Sequence, residues 1–214
     1  MPAAHAEELV AKQFTLRGFG TAAATTQNAE GLEFRRSTAQ QLGVEANEIE
    51  LYTDSIAGVQ VNAKLGSKFD VVLQGLTRQH ADGGWNPEMS LGFLRFSPDE
   101  SWVLRAGRVG YDIYLLAESR QVGYSYLALR PAPELYGMMS SDGIDGGDVA
   151  YTHRLGRGLA RARLFGGKGS GETAFADRSH VESDADVYGA CFDYLYRGWT
   201  ARLALVQYST DAGP

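Results

Sequence analysis

Along this chain, stretches in which apolar and polar residues alternate with a period of two are joined by connections that are very short and very long by turns. A period of two sends successive side chains to opposite faces of an extended strand. Between residues 55 and 65, Val59, Val61, Ala63 and Leu65 share one face, while Gly58, Gln60, Asn62 and Lys64 share the other. Tyr188, Ala190, Phe192, Tyr194 and Tyr196 alternate with Val187, Gly189, Cys191, Asp193 and Leu195. After Arg197-Gly198, Trp199, Ala201, Leu203 and Leu205 alternate with Thr200, Arg202 and Ala204, which makes a hairpin. The pattern predicts nine strands, at 14–23, 55–65, 69–79, 88–96, 101–109, 147–154, 159–166, 185–196 and 199–209. The segments 69–79 and 88–96 alternate imperfectly, and neither face of 88–96 is clearly the polar one.

The connections sort by length. Residues 66–68, 97–100, 156–158 and Arg197-Gly198 are short, whereas 24–54, 80–87, 110–146 and 167–184 are long and rich in Gly, Asp, Glu and Ser. A soluble sandwich has no physical reason to sort its loops by end. A membrane barrel has one, because its two rims face different compartments. The fold class expected is therefore all-β, an antiparallel transmembrane β-barrel represented by about nine strands. Residues 1–13 form an N-terminal segment and 14–214 the partial barrel.

Composition narrows the alternatives. The chain has 26 Gly and 11 Tyr against 6 Pro, a strand-and-turn composition. No window approaches the roughly 18 consecutive apolar residues of a membrane-spanning helix. A mean hydropathy of −0.25 is compatible with a barrel, whose lipid face uses only every second residue. The formal charge of −6 and the lack of a basic stripe argue against a nucleic-acid binder. Cys191 is the only cysteine, so an intrachain disulfide is excluded, no Cys-based zinc site is expected, and a packed thiol is the simplest reading. Ala4-His5-Ala6 fits the small-residue pattern cut by signal peptidase, which places a mature N-terminus near Glu7 in a chain read as truncated there.

Tyr194, Tyr196 and Trp199 surround one short turn, where amphipathic rings would meet lipid headgroups; core aromatics of a soluble β domain are the alternative. A charge facing the lipid midplane costs about 2–4 kcal/mol. Lys64, Arg105, Arg161, Arg163 and Arg202 are therefore expected to line the inside, as a basic wall favouring small anions or as lumen charges without selectivity. Asp142, Asp145 and Asp148 recur every third residue, which is not the spacing of an EF-hand, and read as a solvated turn in preference to a calcium site. Gly166-Gly-Lys-Gly-Ser-Gly-Glu-Thr173 lacks Lys followed directly by Ser or Thr and reads as a flexible external loop. His5, His80, His153 and His180 have no ligand spacing, and no Gly-x-Ser-x-Gly elbow occurs; neither a metal nor a cofactor nor an enzyme is expected.

Several motifs resemble bacterial outer-membrane porins: Ala106-Gly107-Arg108, Val122-Gly123-Tyr124, Arg130-Pro131-Ala132-Pro133-Glu134-Leu135-Tyr136 and Asp142-Gly143-Ile144-Asp145. The opening Phe14-Thr-Leu-Arg-Gly-Phe-Gly20 and Asp54-Ser55 add to the likeness, which spans roughly residues 14 to 209. Ala128 departs from it where such porins more often carry an aromatic, and so does the end at Asp211-Ala-Gly-Pro214. The resemblance implies a barrel of 16 or 18 strands, of which this chain is similar to an N-terminal half that would not close a stable pore alone. It further implies that 110–146 folds inward to constrict the pore, bringing Asp112, Glu118, Arg120 and Arg130 to the narrowest point, where opposed charges would set up a transverse field. A plain external loop is the alternative. The implied function is passive diffusion of small hydrophilic solutes or ions across the outer membrane, in contact with its lipid and as a homotrimer when full length. A soluble β-sandwich or carbohydrate-binding module, a non-conducting surface barrel or adhesin, and a barrel enzyme such as a lipase are the competing readings.

Overall fold

The computed structural model describes residues 13–110, 112–128, 130–139 and 141–210; the expected cleavage site near Ala4-His5-Ala6 and the terminal Asp211-Ala-Gly-Pro214 lie outside them. Eleven strands follow one another: β1 (Phe14–Thr21), β2 (Thr25–Thr26), β3 (Ile49–Glu50), β4 (Ile56–Lys64), β5 (Phe69–Thr77), β6 (Glu88–Phe96), β7 (Trp102–Val109), β8 (Ile144–Leu155), β9 (Gly158–Ala174), β10 (His180–Tyr196) and β11 (Trp199–Ser209). Nine form one antiparallel sheet in the order β1-β4-β5-β6-β7-β8-β9-β10-β11, while β2 and β3 pair with each other. The sheet is a meander in which every strand pairs with the next large strand of the chain.

Pairing fixes the two faces. Leu16 stands opposite Val61, Val61 opposite Leu73, Val149 opposite Leu164, and Phe192 opposite Leu203, so one side of the sheet is apolar from edge to edge. On it Leu16, Val59, Leu73, Leu94, Leu104, Leu164, Phe192, Leu203 and Leu205 are each 40% or more exposed. Soluble monomers rarely expose an apolar patch beyond a few hundred Å². No second sheet large enough to cover this face exists among the described residues, which removes the sandwich reading. The face is a lipid-contacting surface, and the sheet is the wall of an outer-membrane β-barrel.

Aromatic pairs mark the rim of short turns. Phe69 stacks on Phe96 and Trp102 lies tilted against Tyr151, both with ring centroids 4.7 Å apart, and Tyr196 faces Trp199 across a two-residue turn. In that turn Arg197 and Gly198 both have positive φ, 47° and 82°. This two-residue geometry matches strand twist, and glycine adopts it without strain.

Besides the small β2–β3 pair, which lies inside the predicted loop 24–54, two segments differ from expectation. Residues 167–184, predicted as a loop, are largely strand: β9 continues to Ala174 and β10 begins at His180, leaving only 175–179 between them. Glycines and acidic residues hide this extension, but the register set by the apolar portion carries on through Gly169↔Ala185 and Thr173↔Val181. At about 3.3 Å per residue, the 17 residues of β9 extend roughly 56 Å, well beyond a hydrocarbon core of ~30 Å. The other difference explains the poor alternation of 88–96. Gln74 pairs with Leu91 but Gly75 with Met89, so Ser90 is the extra residue of a β-bulge that breaks the period-two pattern.

On the opposite face the segment between β7 and β8 folds inward, as the resemblance implied. Its Ala117 and Met139 join Val72, Phe93, Phe165 and Val187 of the wall in one buried cluster, with Ile113, Tyr114 and Tyr136 packed alongside. Among the described residues of the segment, regular structure is limited to a 3-10 turn at Gly123–Ser125 and a single helical turn at Pro133–Tyr136, started by proline at a position needing no N–H donor.

Candidate constriction and its ion pairs

The inward face carries its charges in rows set by pairing. Arg105 of β7 stands opposite Asp148 of β8, and Asp193 of β10 lies between Arg161 of β9 and Arg202 of β11. The inward segment supplies the missing carboxylates. The guanidinium of Arg105 donates from Nε to Asp148 at 2.9 Å and from Nη2 to Glu118 at 2.6 Å. Arg163 donates from Nη1 to the same Glu118 oxygen at 2.8 Å and to Asp112 at 3.1 Å. Arg202 grips Asp112 at 2.6 and 3.0 Å and Asp193 at 2.6 and 2.8 Å.

These contacts form a chain of alternating sign: Asp148, Arg105, Glu118, Arg163, Asp112, Arg202, Asp193. Four carboxylates against three guanidiniums leave a formal charge of −1. Arg163 is buried, with its side chain 3% exposed, and Arg105 and Arg202 are part-buried, with side chains only 9% and 10% exposed. In this environment each pair is strong only because both partners are present and hydrogen-bonded. The expectation that these three arginines stand free in lumen water is thus corrected: they lie on the inner face but are covered and neutralised by Asp112 and Glu118. Arg161 is part-buried beside this chain and makes no ion pair among the described residues. Lys64 ends β4 at the rim of short turns, exposed and remote from the inward segment.

The other two residues expected at the constriction sit elsewhere. Arg120 is buried within the segment, donating to Asp142 at 2.6 Å and to the Ser141 carbonyl at 2.6 Å. Arg130 ties the segment to the first long loop, pairing with buried Asp54 and lying over the Phe34 ring at 4.4 Å. Thr25 donates to that same Asp54 oxygen at 2.7 Å.

A second basic group escaped the sequence reading. Arg36, Arg78 and Arg120 line a cavity of about 30 Å³ together with Gln121 and Tyr136. Asp142 receives Arg78 at 2.8 Å, Arg120 at 2.6 Å and the Gln121 amide at 3.0 Å. Burial pushes its carboxyl up, but Arg78, Arg120, the Gln121 amide and Arg36 outweigh that and hold it down at about 2. Arg78 also pairs with Glu88 at 3.0 Å, whereas Arg36 reaches only neutral acceptors, the Gln121 side chain at 3.2 Å and the Arg120 carbonyl at 3.4 Å.

The Asp142, Asp145, Asp148 repeat is neither a solvated turn nor a calcium site. Asp142 binds Arg78 and Arg120, Asp145 binds Arg108 at 2.6 Å on the far side, and Asp148 binds Arg105. Among the described residues no group of three or more His, Cys, Asp or Glu is placed to hold a metal ion.

No family model matches the chain. No curated protein matches it either. Among solved structures it is similar to OmpT, an outer membrane protein of Vibrio cholerae folded in vitro and in trimer form. The identity is 10% and the TM-score 0.38, covering 94% of this chain and 68% of that one. It is also similar to a variant of the same protein lacking loop L8, at 11% identity and TM-score 0.38, covering 94% and 72%. At these values the likeness is one of general outline, and the assignment of the fold rests on the strand pattern and the bare apolar face.

Proposed function

We propose that the chain builds part of the wall and the constriction of an outer-membrane channel for passive diffusion of small hydrophilic solutes or ions. The observation that carries this reading is the latching of the inward segment to the wall by Asp112 and Glu118, on Arg105, Arg163 and Arg202. A segment held flat against one wall narrows a pore without filling it, and fixed charges along it sort solutes by sign and dipole. The acids of the latch are consumed by the wall, so the charges left beside the inward segment to act on a solute include Arg161 and Arg36. Both are cations without a carboxylate partner among the described residues, which supports a preference for small anions. Assembly as a homotrimer, carried by the resemblance of the motifs, belongs to the same proposal.

The test is reconstitution of this chain as part of a closed barrel, fused or coexpressed with the strands that complete it, into planar bilayers, with the zero-current potential read under a potassium chloride gradient. Stepwise conductance with a potential of the sign set by chloride supports the reading. Stable insertion with no conductance in either its monomeric or crosslinked form favours a surface barrel instead.

A further inference from the structure

Beneath the cavity shared by Arg36, Arg78 and Arg120 lies a smaller one, of about 20 Å³, lined by residues of the first long loop and by Arg78 and Gln79 at the end of β5. Most of its polar lining is already engaged. Gln40 accepts from the Arg36 backbone N–H at 3.1 Å and donates to the Thr53 carbonyl at 3.4 Å; the Ser37 hydroxyl accepts from Ala39 N–H at 3.2 Å. Two groups are not. Thr53 Oγ1 and Gln79 Oε1 have no protein partner, although their residues are only 3% and 6% exposed.

A buried hydroxyl and a buried amide oxygen left unpaired each carry a desolvation penalty that folded proteins almost always relieve. The size and chemistry of the space select what relieves it. A volume of about 20 Å³ is enough for one water molecule and too small for an organic solute. A cation is opposed by the guanidiniums of Arg36 and Arg78 in the same lining, and an anion by the acceptor oxygen of Gln79. Water alone donates to Gln79 Oε1 while serving the Thr53 hydroxyl as donor or acceptor.

We infer that a single ordered water occupies this cavity, bridging Thr53 Oγ1 and Gln79 Oε1 and pinning the first long loop to the end of β5 behind Arg36 and Arg78. The bridge is independent of whether the barrel conducts. Its role is to hold the loop that carries Arg36 against the inward segment, which that loop meets through Arg36 and Thr38.

Near-isosteric apolar substitutions discriminate this from an unhydrated pocket. With a bridging water, Thr53→Val and Gln79→Met each lower the urea midpoint of unfolding in detergent micelles, and the double variant falls by little more than either alone, since both lose the same bridge. If the two oxygens are unhydrated, each substitution removes an orphaned group, the midpoints rise, and the effects add; that outcome overturns the inference. A crystal structure of the unaltered chain gives the independent check. A density peak within hydrogen-bond distance of both oxygens is expected, and a direct Thr53 to Gln79 hydrogen bond with the cavity closed refutes it.

Discussion

The carboxylate of Asp112 spans the guanidinium of Arg202, accepting from Nη1 at 2.6 Å and Nη2 at 3.0 Å across 90 residues of chain. Arg202 also donates to the Asp112 and Tyr114 carbonyls, at 3.1 and 2.9 Å, so one wall residue fixes both side chain and backbone of the inward segment where it leaves β7. Asp112→Asn keeps the shape but removes the charge between two buried arginines. Breaking a buried pair from one side costs about 3–5 kcal/mol. The expected result is a loss of this order in the urea unfolding free energy, together with a larger and noisier single-channel conductance as the segment detaches. Arg202→Met on the Asp112→Asn background lowers stability further, because Arg202 still holds Asp193 and its loss leaves that buried carboxylate without its partner.

Acid titration reports on the Asp142 group. The folded carboxyl of Asp142, at about 2, lies below its ordinary value of 3.8. A depressed folded pKa means that the contribution is complete above the unfolded value and is lost as pH falls from about 4 towards 2. A difference of this size is worth roughly 2 kcal/mol at 1.36 kcal/mol per unit. Unfolding midpoints measured from pH 6 to pH 2 should therefore fall most steeply below pH 4. In Asp142→Asn the curve starts lower and flattens in that window; an unchanged slope means that other carboxylates govern the acid limb.

How much of this was legible follows from what each feature depends on. Strands β4, β10 and β11 were readable because their alternation is local, and the Arg197-Gly198 turn announced its hairpin. The ends of β9 and β10 were not, since Gly169, Gly171, Glu182 and Asp184 have little strand preference and are held extended by pairing begun lower in the barrel. The candidate site was half legible. Asp112 and Glu118 were found with Arg105, Arg163 and Arg202, but as separate loop and wall charges, because period-two reasoning gives the face of a residue and not its neighbour across strands. Once register is known, Asp148 and Asp193 follow at once as partners of Arg105 and Arg202. Arg36 and Arg78 had no signal of this kind, being at a strand end and in an irregular loop that meet only in the folded chain.

Two positions of β11 test the two faces directly. Leu203 is 69% exposed on the apolar side, while Thr200 lies on the inner face near the short-turn rim. Leu203→Arg places a cation against lipid, at a cost of about 2–4 kcal/mol near the midplane. Thr200→Arg meets water and should change stability by less than about 0.5 kcal/mol. Equal effects of the two, in unfolding from lipid vesicles, would contradict the membrane orientation of the sheet.

In the proposed channel, charge selectivity beside the inward segment falls to Arg161 and Arg36. Arg161→Ala and Arg36→Ala each leave the latch intact, so insertion and conductance should survive while the ratio of chloride to potassium permeability falls towards one. The double variant should fall further than either single one. An unaltered ratio in both would move the selectivity filter away from this segment.

Cys191 offers a reporter that needs no engineered label. It faces inward between Arg163 and Ala204 in the register of the sheet, is only 5% exposed, and is the sole cysteine of the chain. The inward segment lies over Arg163, so a charged water-soluble methanethiosulfonate should react with the native protein slowly, if at all, since thiol reactivity requires access as well as ionisation. In the double variant Asp112→Asn, Glu118→Gln the segment loses both carboxylates that latch it to Arg105, Arg163 and Arg202, which uncovers the strip of wall containing the thiol. Labelling is then expected to accelerate at least tenfold while the micelle-bound strands keep their far-ultraviolet circular dichroism. If labelling is already fast in the unaltered protein, the segment is not seated on β9 and β10 in solution. If it stays slow in the variant, the apolar cluster of Ala117, Met139, Phe165 and Val187 holds the segment without the ion pairs, and the latch contributes charge balance instead of attachment.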